Sequence, residues 1–173
     1  MPGSPDSTFY LLEPHLPEQA QPRPNTVPVM VGTVRLPLEL ERSELVRYRS
    51  GGGLELLETS RWAAPLDAMV ARTLALDLAA RLERVVLPGQ RTSPRAEQQT
   101  LNVLIERFGA GPGDALTLTA RWTLADDDRG TRLARRTRIE VDLAGSGPAA
   151  IPAAMSAALA RLADEVAATV AAP

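Results

Sequence analysis

The chain has 173 residues, a hydrophobic fraction of 45% and a formal net charge of −2 at neutral pH. A chain of this length buries enough surface to fold as one domain without stabilisation by disulfide bonds or bound metal ions. A net charge this close to zero excludes a global electrostatic attraction to nucleic acid or to anionic membranes. Cysteine and lysine are both absent, which excludes thiol nucleophiles, cysteine metal sites and serine–lysine catalysis.

The first 28 residues contain seven of the fifteen prolines in the chain. Proline-rich segments are extended, so we predict a tether over residues 1–28 that contains a first strand at Ser7–Glu13. Residues 29–173 are predicted to form a single α+β domain, which this first strand joins. The N-terminus lacks the charged and apolar regions of a secretory leader. We therefore expect either a cytoplasmic protein or a mature chain from which a leader was removed.

The segments that follow the tether alternate between strand and turn signals. Val29–Leu36 is almost continuously apolar, which is typical of a strand in the interior of a sheet. Glu41–Val46 is predicted to form a single helical turn. The glycine triplet Gly51–Gly53 supplies a turn between Tyr48 and the strand-like segment Leu54–Glu58, so a β-hairpin is predicted here.

Two segments have the 3.6-residue periodicity of amphipathic helices. The first starts at Pro65, a residue type that suits the first position of a helix, and the second follows Gly145–Pro148. The apolar stripe of the first helix consists of Leu66, Val70, Leu74, Leu78 and Leu82. The apolar stripe of the second consists of Met155, Leu159, Leu162, Val166 and Val170.

Three longer strands are predicted between the helices, after a short piece at Val85–Gly89. They are Leu101–Phe108, Ala115–Leu124 and Leu133–Leu143, in which apolar residues alternate with polar ones. The last two are predicted to form a long antiparallel hairpin with one wet face. The order of the elements predicts an α+β fold, an antiparallel or mixed β-sheet with two main helices packed on one face.

The residue types that carry most enzyme chemistry are sparse in this sequence. His15 is the only histidine and lies in the proline-rich segment, where a solvated side chain is expected rather than a general base or metal ligand. We therefore predict no catalytic residue, no cofactor-binding residue and no metal site. A hydrolase that uses two buried carboxylates is a separate hypothesis, because the separation of such a pair is a tertiary property.

The predicted wet face of the last hairpin carries a group of arginines. One hypothesis is an anion patch that binds phospholipid headgroups or an acidic partner. The alternative, which we favour, is a solvated sheet face partly neutralised by Glu140 and Asp142. Nucleic acid is the weakest candidate ligand, because no aromatic side chain accompanies the arginines for base stacking. The arginines are Arg121, Arg132, Arg136 and Arg138.

Trp62, one of only two tryptophans, lies three residues before Pro65 and follows Arg61 directly. A large ring just before a helix N-terminus can wedge between the helix and the sheet and fix the angle between them. A structural role is therefore the favoured interpretation of Trp62.

Several segments, in their order along the chain, resemble auxiliary lipoproteins of ABC-type lipid transporters, the PqiC-like group of the MCE/Pqi-type envelope systems. Ser7–Leu12 resembles the strand that follows the lipidated cysteine of that family, and Arg61–Leu66 is similar to its Trp-Ala-x-Pro-Leu motif before the central helix. Thr100–Val103 and the segment around Trp122 are similar to its later hairpin. The family's leader and lipobox cysteine are absent from this chain.

The resemblance implies a non-enzymatic periplasmic lipoprotein, anchored to the outer membrane, that acts with an MCE-domain protein and a membrane permease in phospholipid transport. It also implies a homo-oligomer, for which a ring that receives the MCE partner is the expected form. Phospholipid is a candidate ligand. By the same resemblance, Arg61 and Trp62 are candidates for a contact between protomers or with a partner. The proline-rich tether fits an anchor that holds the domain away from a membrane. The alternative, from a different class, is a small cytoplasmic ligand-binding or regulatory domain.

Overall fold

The computed structural model of the protein describes residues 6–16, 27–89, 98–126 and 132–170. The strands are β1 (Thr8–Tyr10), β2 (Val29–Arg35), β3 (Glu44–Tyr48), β4 (Leu54–Trp62), β5 (Val86–Pro88), β6 (Gln99–Ala110), β7 (Ala115–Asp126) and β8 (Arg132–Asp142). The helices are α1 (Leu66–Leu82) and α2 (Ala150–Val170). Much of the predicted tether and the turn of the last hairpin lie outside the described residues.

The strands form one mixed sheet, organised around the long strand β6. On one side β6 pairs with β7, which pairs with β8, and both pairings are antiparallel. On the other side β2 runs parallel to the first part of β6, and β3 meets its last residue through the bridge Arg47–Ala110. Strand β5 extends the sheet beyond β2, whereas β4 and then β1 extend it beyond β3. The position of β2 between β5 and β6 confirms that the apolar segment Val29–Leu36 is interior.

Both helices cover the same face of this sheet, which confirms the predicted α+β architecture. Helix α1 packs on β2 and β5, α2 packs on β6, β7 and β8, and the two helices contact each other. The alternation predicted for β6 and β7 places Val103 opposite Trp122 and Leu101 opposite Leu124, all buried under the helices. The opposite face, called the outer face below, carries a row of polar side chains from β7 and β8, among them Arg121 and Arg136.

The prediction of a helical turn over Glu41–Val46 is wrong. The chain forms a 3₁₀ turn earlier, at Leu38–Leu40, and Glu44–Tyr48 is strand β3. Adjacent side chains Leu45 and Val46 are both buried, which a strand achieves because it sends successive side chains to opposite faces. Pairing with β4 and β6 therefore makes this segment a strand, although its local sequence pattern predicts a helical turn.

The predicted hairpin around the glycine triplet is confirmed by the antiparallel pairing of β3 with β4. Gly51 and Gly52 have φ angles of 71° and 80°, a region that glycine adopts without steric cost. Helix α1 begins at Leu66 with Pro65 as its N-cap residue, one position later than predicted. Within the described residues, neither helix combines the length and hydropathy that a membrane crossing requires.

Candidate functional site

Trp62 lies at the end of β4, where the chain leaves the sheet for α1. Its main-chain N–H donates to the Ser43 carbonyl at 2.6 Å, and the N–H of Ala63 donates to the Tyr10 carbonyl at 2.9 Å. The indole side chain is only 7% exposed and belongs to the hydrophobic core together with Leu66 of α1. These contacts fix the strand end that precedes the helix, as the structural interpretation of Trp62 requires.

A pocket of about 590 Å³ opens beside the Trp62 ring. A volume of this size suits a small ligand or an apolar side chain of a partner. Its lining combines an apolar wall with a charged rim: Leu36, Leu40, Trp62, Ala64, Pro65 and Leu66 with Glu41, Arg42, Ser43 and Asp67. Trp62 therefore closes one wall of the core and also borders a cavity that solvent can enter.

Arg61 faces away from Trp62, because neighbouring residues of a strand point to opposite faces. It lies opposite Phe9 of β1 and Glu44 of β3 in the sheet. Arg61 Nη2 is 3.8 Å from Glu44 Oε1, and Arg61 Nε is buried without a hydrogen-bond partner. Hydrogen bonds from its own main chain and from Ser43, together with the charge of Arg61, hold the pKa of Glu44 below its usual value. The sequence neighbours Arg61 and Trp62 thus belong to two different surfaces.

Three of the four predicted arginines lie together on the outer face. Arg121 of β7 lies directly opposite Arg136 of β8, and both bind Glu106, at 2.5 Å from Arg121 Nε and 2.8 Å from Arg136 Nη2. Arg138 pairs with Glu140 at 2.5 Å. Arg132 pairs with Ala125 through the backbone at the start of β8, and the structure does not describe its side chain.

Glu106 is the residue of this cluster that sequence reasoning missed. It lies at a register shift of β6, between Ile105 and Arg107, and reaches the two arginines from the neighbouring strand. The Arg136 hydrogen bond, then the charges of both arginines, lower the pKa of Glu106, so the carboxylate stays ionised. The cluster of Arg121, Arg136 and Glu106 keeps one net positive charge, much less than four free arginines would carry.

A second group that the sequence did not reveal holds Leu11–Leu16, called the N-terminal strap, against the helices. The His15 main-chain N–H donates to Asp77 Oδ1 at 2.8 Å, and Arg81 Nη1 donates to the His15 carbonyl at 3.4 Å. Ser156 Oγ of α2 accepts from the Glu13 N–H at 3.0 Å. Asp77 is fully buried and its Oδ2 has no partner, and burial raises its pKa despite the opposing effects of His15 and Arg81.

A sequence signal for this contact does exist in α1. Thr73, Asp77 and Arg81 are spaced four residues apart, so they form one row along the helix surface. All three bind the strap, with Thr73 Oγ1 donating to the Leu12 carbonyl at 3.4 Å. The His15 side chain itself is exposed, which agrees with the solvated histidine that was expected. Among the described residues, no group of three or more His, Asp and Glu side chains is placed to bind a metal ion.

The sequence model of the ABC-type transport auxiliary lipoprotein component family matches residues 10–167. The chain belongs to this family. The match extends from Tyr10, the last residue of β1, to residue 167 in the last turn of α2 and therefore includes both tryptophans, the strap and the outer-face arginines. It confirms the resemblance in the sequence to auxiliary lipoproteins of ABC-type transporters.

Two solved structures have the fold of this auxiliary component. A crystal structure of an uncharacterized protein aligns with a TM-score of 0.78 and 20% identity, over 96% of this chain and 100% of that chain. Protein XCC0632 from Xanthomonas campestris aligns with a TM-score of 0.74 and 15% identity, over 95% of this chain and 94% of that chain. Both likenesses concern the fold. No curated protein sequence is significantly similar to this chain.

Proposed function

We propose that this protein is a non-enzymatic periplasmic component of an MCE/ABC-type phospholipid transport system. In this role it docks an MCE-domain protein, and through it the membrane permease, at the outer membrane. The observation that carries the proposal is the match of residues 10–167 to the family of ABC-type transport auxiliary lipoprotein components. A lipid anchor would precede β1, and the proline-rich tether over residues 1–28 would hold the domain away from the membrane.

Two surfaces are the candidates for partner contact. The first is the pocket beside Trp62, where an apolar wall and a charged rim suit an apolar anchor residue of a partner or a phospholipid chain. The second is the outer face with Arg121, Arg132, Arg136 and Arg138, whose residual positive charge suits an acidic partner surface or phospholipid headgroups. Because Arg61 faces away from the pocket, we assign Arg61 to the outer face and Trp62 to the pocket.

We also propose that the protein works as a homo-oligomer, in which several copies surround one MCE partner. Several copies around one partner make several equivalent contacts. Such repeated weak contacts raise the overall affinity, because each contact that forms increases the effective concentration of the next. Membership of a transport auxiliary family supports a transporter as the partner.

The proposal is tested by crosslinking in the native cells with an epitope-tagged full-length chain, followed by mass spectrometry and membrane fractionation. We expect an MCE-domain protein among the crosslinked partners and the tagged chain in the outer-membrane fraction. An unrelated envelope lipoprotein with the same tag serves as the control for nonspecific capture. Recovery of the chain in the cytosol with no MCE-domain partner would contradict the proposal and favour the small cytoplasmic ligand-binding domain.

A further inference from the structure

Two further arginines lie on the outer face, in strands β2 and β6. Arg35 is the last residue of β2 and lies opposite Leu104 of β6, which in turn lies opposite Arg121 of β7. Arg107 of β6 lies opposite Thr119, and Thr119 is on the same face as Arg121 because the two are two residues apart in one strand. The outer face of β2, β6, β7 and β8, called the arginine face, therefore carries Arg35 and Arg107 beside the predicted arginines.

Arg35 and Arg107 are the unpaired cations of this face. Arg35 is exposed and Arg107 is half-buried, and neither forms an ion pair with any residue in the part of the chain that the structure describes. The guanidinium carbon of Arg107 lies 4.1 Å from the centre of the Tyr48 ring. The Tyr48 hydroxyl donates to Glu39 Oε1 at 3.1 Å, which holds the ring in place. Stacking on a fixed ring orients the guanidinium and leaves its N–H groups available to an anion.

The arginine face is positive although the chain as a whole is negative. Its described side chains include five arginines and three acids, which gives the face a net charge of +2. Since the whole chain has a formal charge of −2, the remainder carries −4. A molecule polarised in this way turns its positive face towards an anionic surface. The charged residues of the face are Arg35, Glu106, Arg107, Arg121, Arg136, Arg138, Glu140 and Asp142.

These charges are spread over a broad surface rather than gathered in a cleft. The row from Arg35 to Arg136 crosses four neighbouring strands, a distance of about 14 Å. Leu104 lies within this row and is 45% exposed. An apolar side chain flanked by arginines suits the boundary between headgroups and acyl chains, where the guanidinium stays with the phosphates. Anionic lipids can also move sideways to each arginine, so they need no fixed pattern of acidic groups.

We propose that the arginine face lies against the anionic surface of a phospholipid bilayer, where Arg35 and Arg107 bind lipid phosphates. This inference rests on the proposed position of the protein at the outer membrane and names the face that meets the membrane. Trp62 and Leu66 lie on the opposite, helix-covered side of the sheet. The orientation therefore leaves the helices and the Trp62 pocket on the side away from the bilayer, where a protein partner can reach them.

The test is flotation of the chain with lipid vesicles at low salt. We expect the wild type to bind phosphatidylcholine vesicles that contain about one third phosphatidylglycerol, and not to bind vesicles of phosphatidylcholine alone. Binding should be lost as the salt concentration approaches about 1 M, where the screening length falls to about 3 Å. Arg35→Gln and Arg107→Gln should each weaken partition into the anionic vesicles about fivefold, and the double variant about twentyfold.

Two control variants accompany this series. Arg72→Gln removes the same charge from the helix-covered side, because Arg72 is exposed on α1 and has no ion-pair partner among the described residues. Arg107→Lys keeps the charge but not the planar fork of the guanidinium. A bilayer attracts charge of either shape, so both controls should stay within about twofold of the wild type. Thermal unfolding checks that each variant is folded, and Arg35→Gln, an exposed substitution, tests the proposal by itself.

The inference is overturned if the wild type does not bind anionic vesicles, if it binds phosphatidylcholine vesicles equally well, or if Arg72→Gln weakens binding as much as Arg35→Gln does. A loss with Arg107→Lys as large as that with Arg107→Gln would also overturn it, and would instead indicate a carboxylate of a protein partner held by the guanidinium fork. Vesicle binding needs no MCE-domain protein. Its failure therefore leaves the docking function standing, and failed crosslinking to that protein leaves the membrane contact standing.

Discussion

The two tryptophans lie on the helix-covered face of one sheet, in different surroundings. Trp122 is 2% exposed, and its ring N–H donates to Thr137 Oγ1 at 3.1 Å, which in turn donates to Glu165 Oε2 at 2.6 Å. Trp62 is 7% exposed and borders a pocket of about 590 Å³. A residue that is enclosed on all sides and hydrogen-bonded contributes to the stability of the fold alone. A residue beside a cavity can stabilise the fold and also contact a partner.

The largest effect is expected at the enclosed tryptophan. Trp122→Ala should lower the free energy of unfolding by about 3–5 kcal/mol, because it removes a buried ring and leaves Thr137 and Glu165 around a cavity. Urea unfolding followed by circular dichroism measures this loss. A loss below about 1 kcal/mol would mean that the core closes around the missing ring, and the contrast between the two tryptophans would disappear.

The effect at the pocket tryptophan is expected to be smaller. Trp62→Ala should cost about 2–3 kcal/mol of unfolding free energy, because one side of the ring already faces a cavity and loses fewer contacts. The variant should remain folded at 25 °C, so crosslinking to the MCE-domain protein can be measured on it. Lost crosslinking in a folded variant supports a partner contact at Trp62, and unchanged crosslinking leaves Trp62 with its structural role only.

The hydrogen bonds around Trp122 are expected to contribute less than its ring. Thr137→Val keeps the shape of the side chain but removes the hydroxyl that joins Trp122 to Glu165. We expect a loss of about 1–2 kcal/mol in urea unfolding, because the buried ring N–H of Trp122 loses its acceptor. Thr123→Val, on the outer face of the same hairpin, is the matched control and should change stability by less than about 0.5 kcal/mol.

The smallest effect concerns the access of solvent to the two rings. Two single-tryptophan proteins, Trp62→Phe and Trp122→Phe, isolate the fluorescence of the remaining indole. Acrylamide should quench Trp62 more than Trp122, because the pocket brings solvent to one wall of the Trp62 ring. Equal quenching of the two would mean that the pocket does not expose the ring, and Trp62 would lose its place as a candidate partner contact.

The elements with strong local patterns were predictable from the sequence. Helix α1, helix α2 and the β7–β8 hairpin follow directly from the spacing of their apolar residues, and the glycine triplet marks the β3–β4 turn. The helical turn expected at Glu41–Val46 failed, because strand pairing on both sides of β3 outweighs the weak preference of a short segment.

The candidate site was predictable only in part. Two-residue alternation placed Arg121, Arg136 and Arg138 on one face, as the structure shows. It did not reveal Glu106, because the register shift in β6 that brings this carboxylate to the arginines has no local sequence signal. The row of Thr73, Asp77 and Arg81 was visible as a helical spacing, but its partner is the main chain of a segment some sixty residues away.

The sequence by itself determined the family, the two helices, the faces of the long strands and the scarcity of catalytic residue types, since each depends on residue identity or on short-range periodicity. The tertiary structure alone decided that β1 lies parallel to β4, that Arg61 and Trp62 belong to different surfaces, and that β6 is flanked by β7 on one side and by β2 and β3 on the other. These features depend on contacts between residues far apart in the chain. Such contacts are fixed by how the whole core packs, and no short window of sequence contains that information.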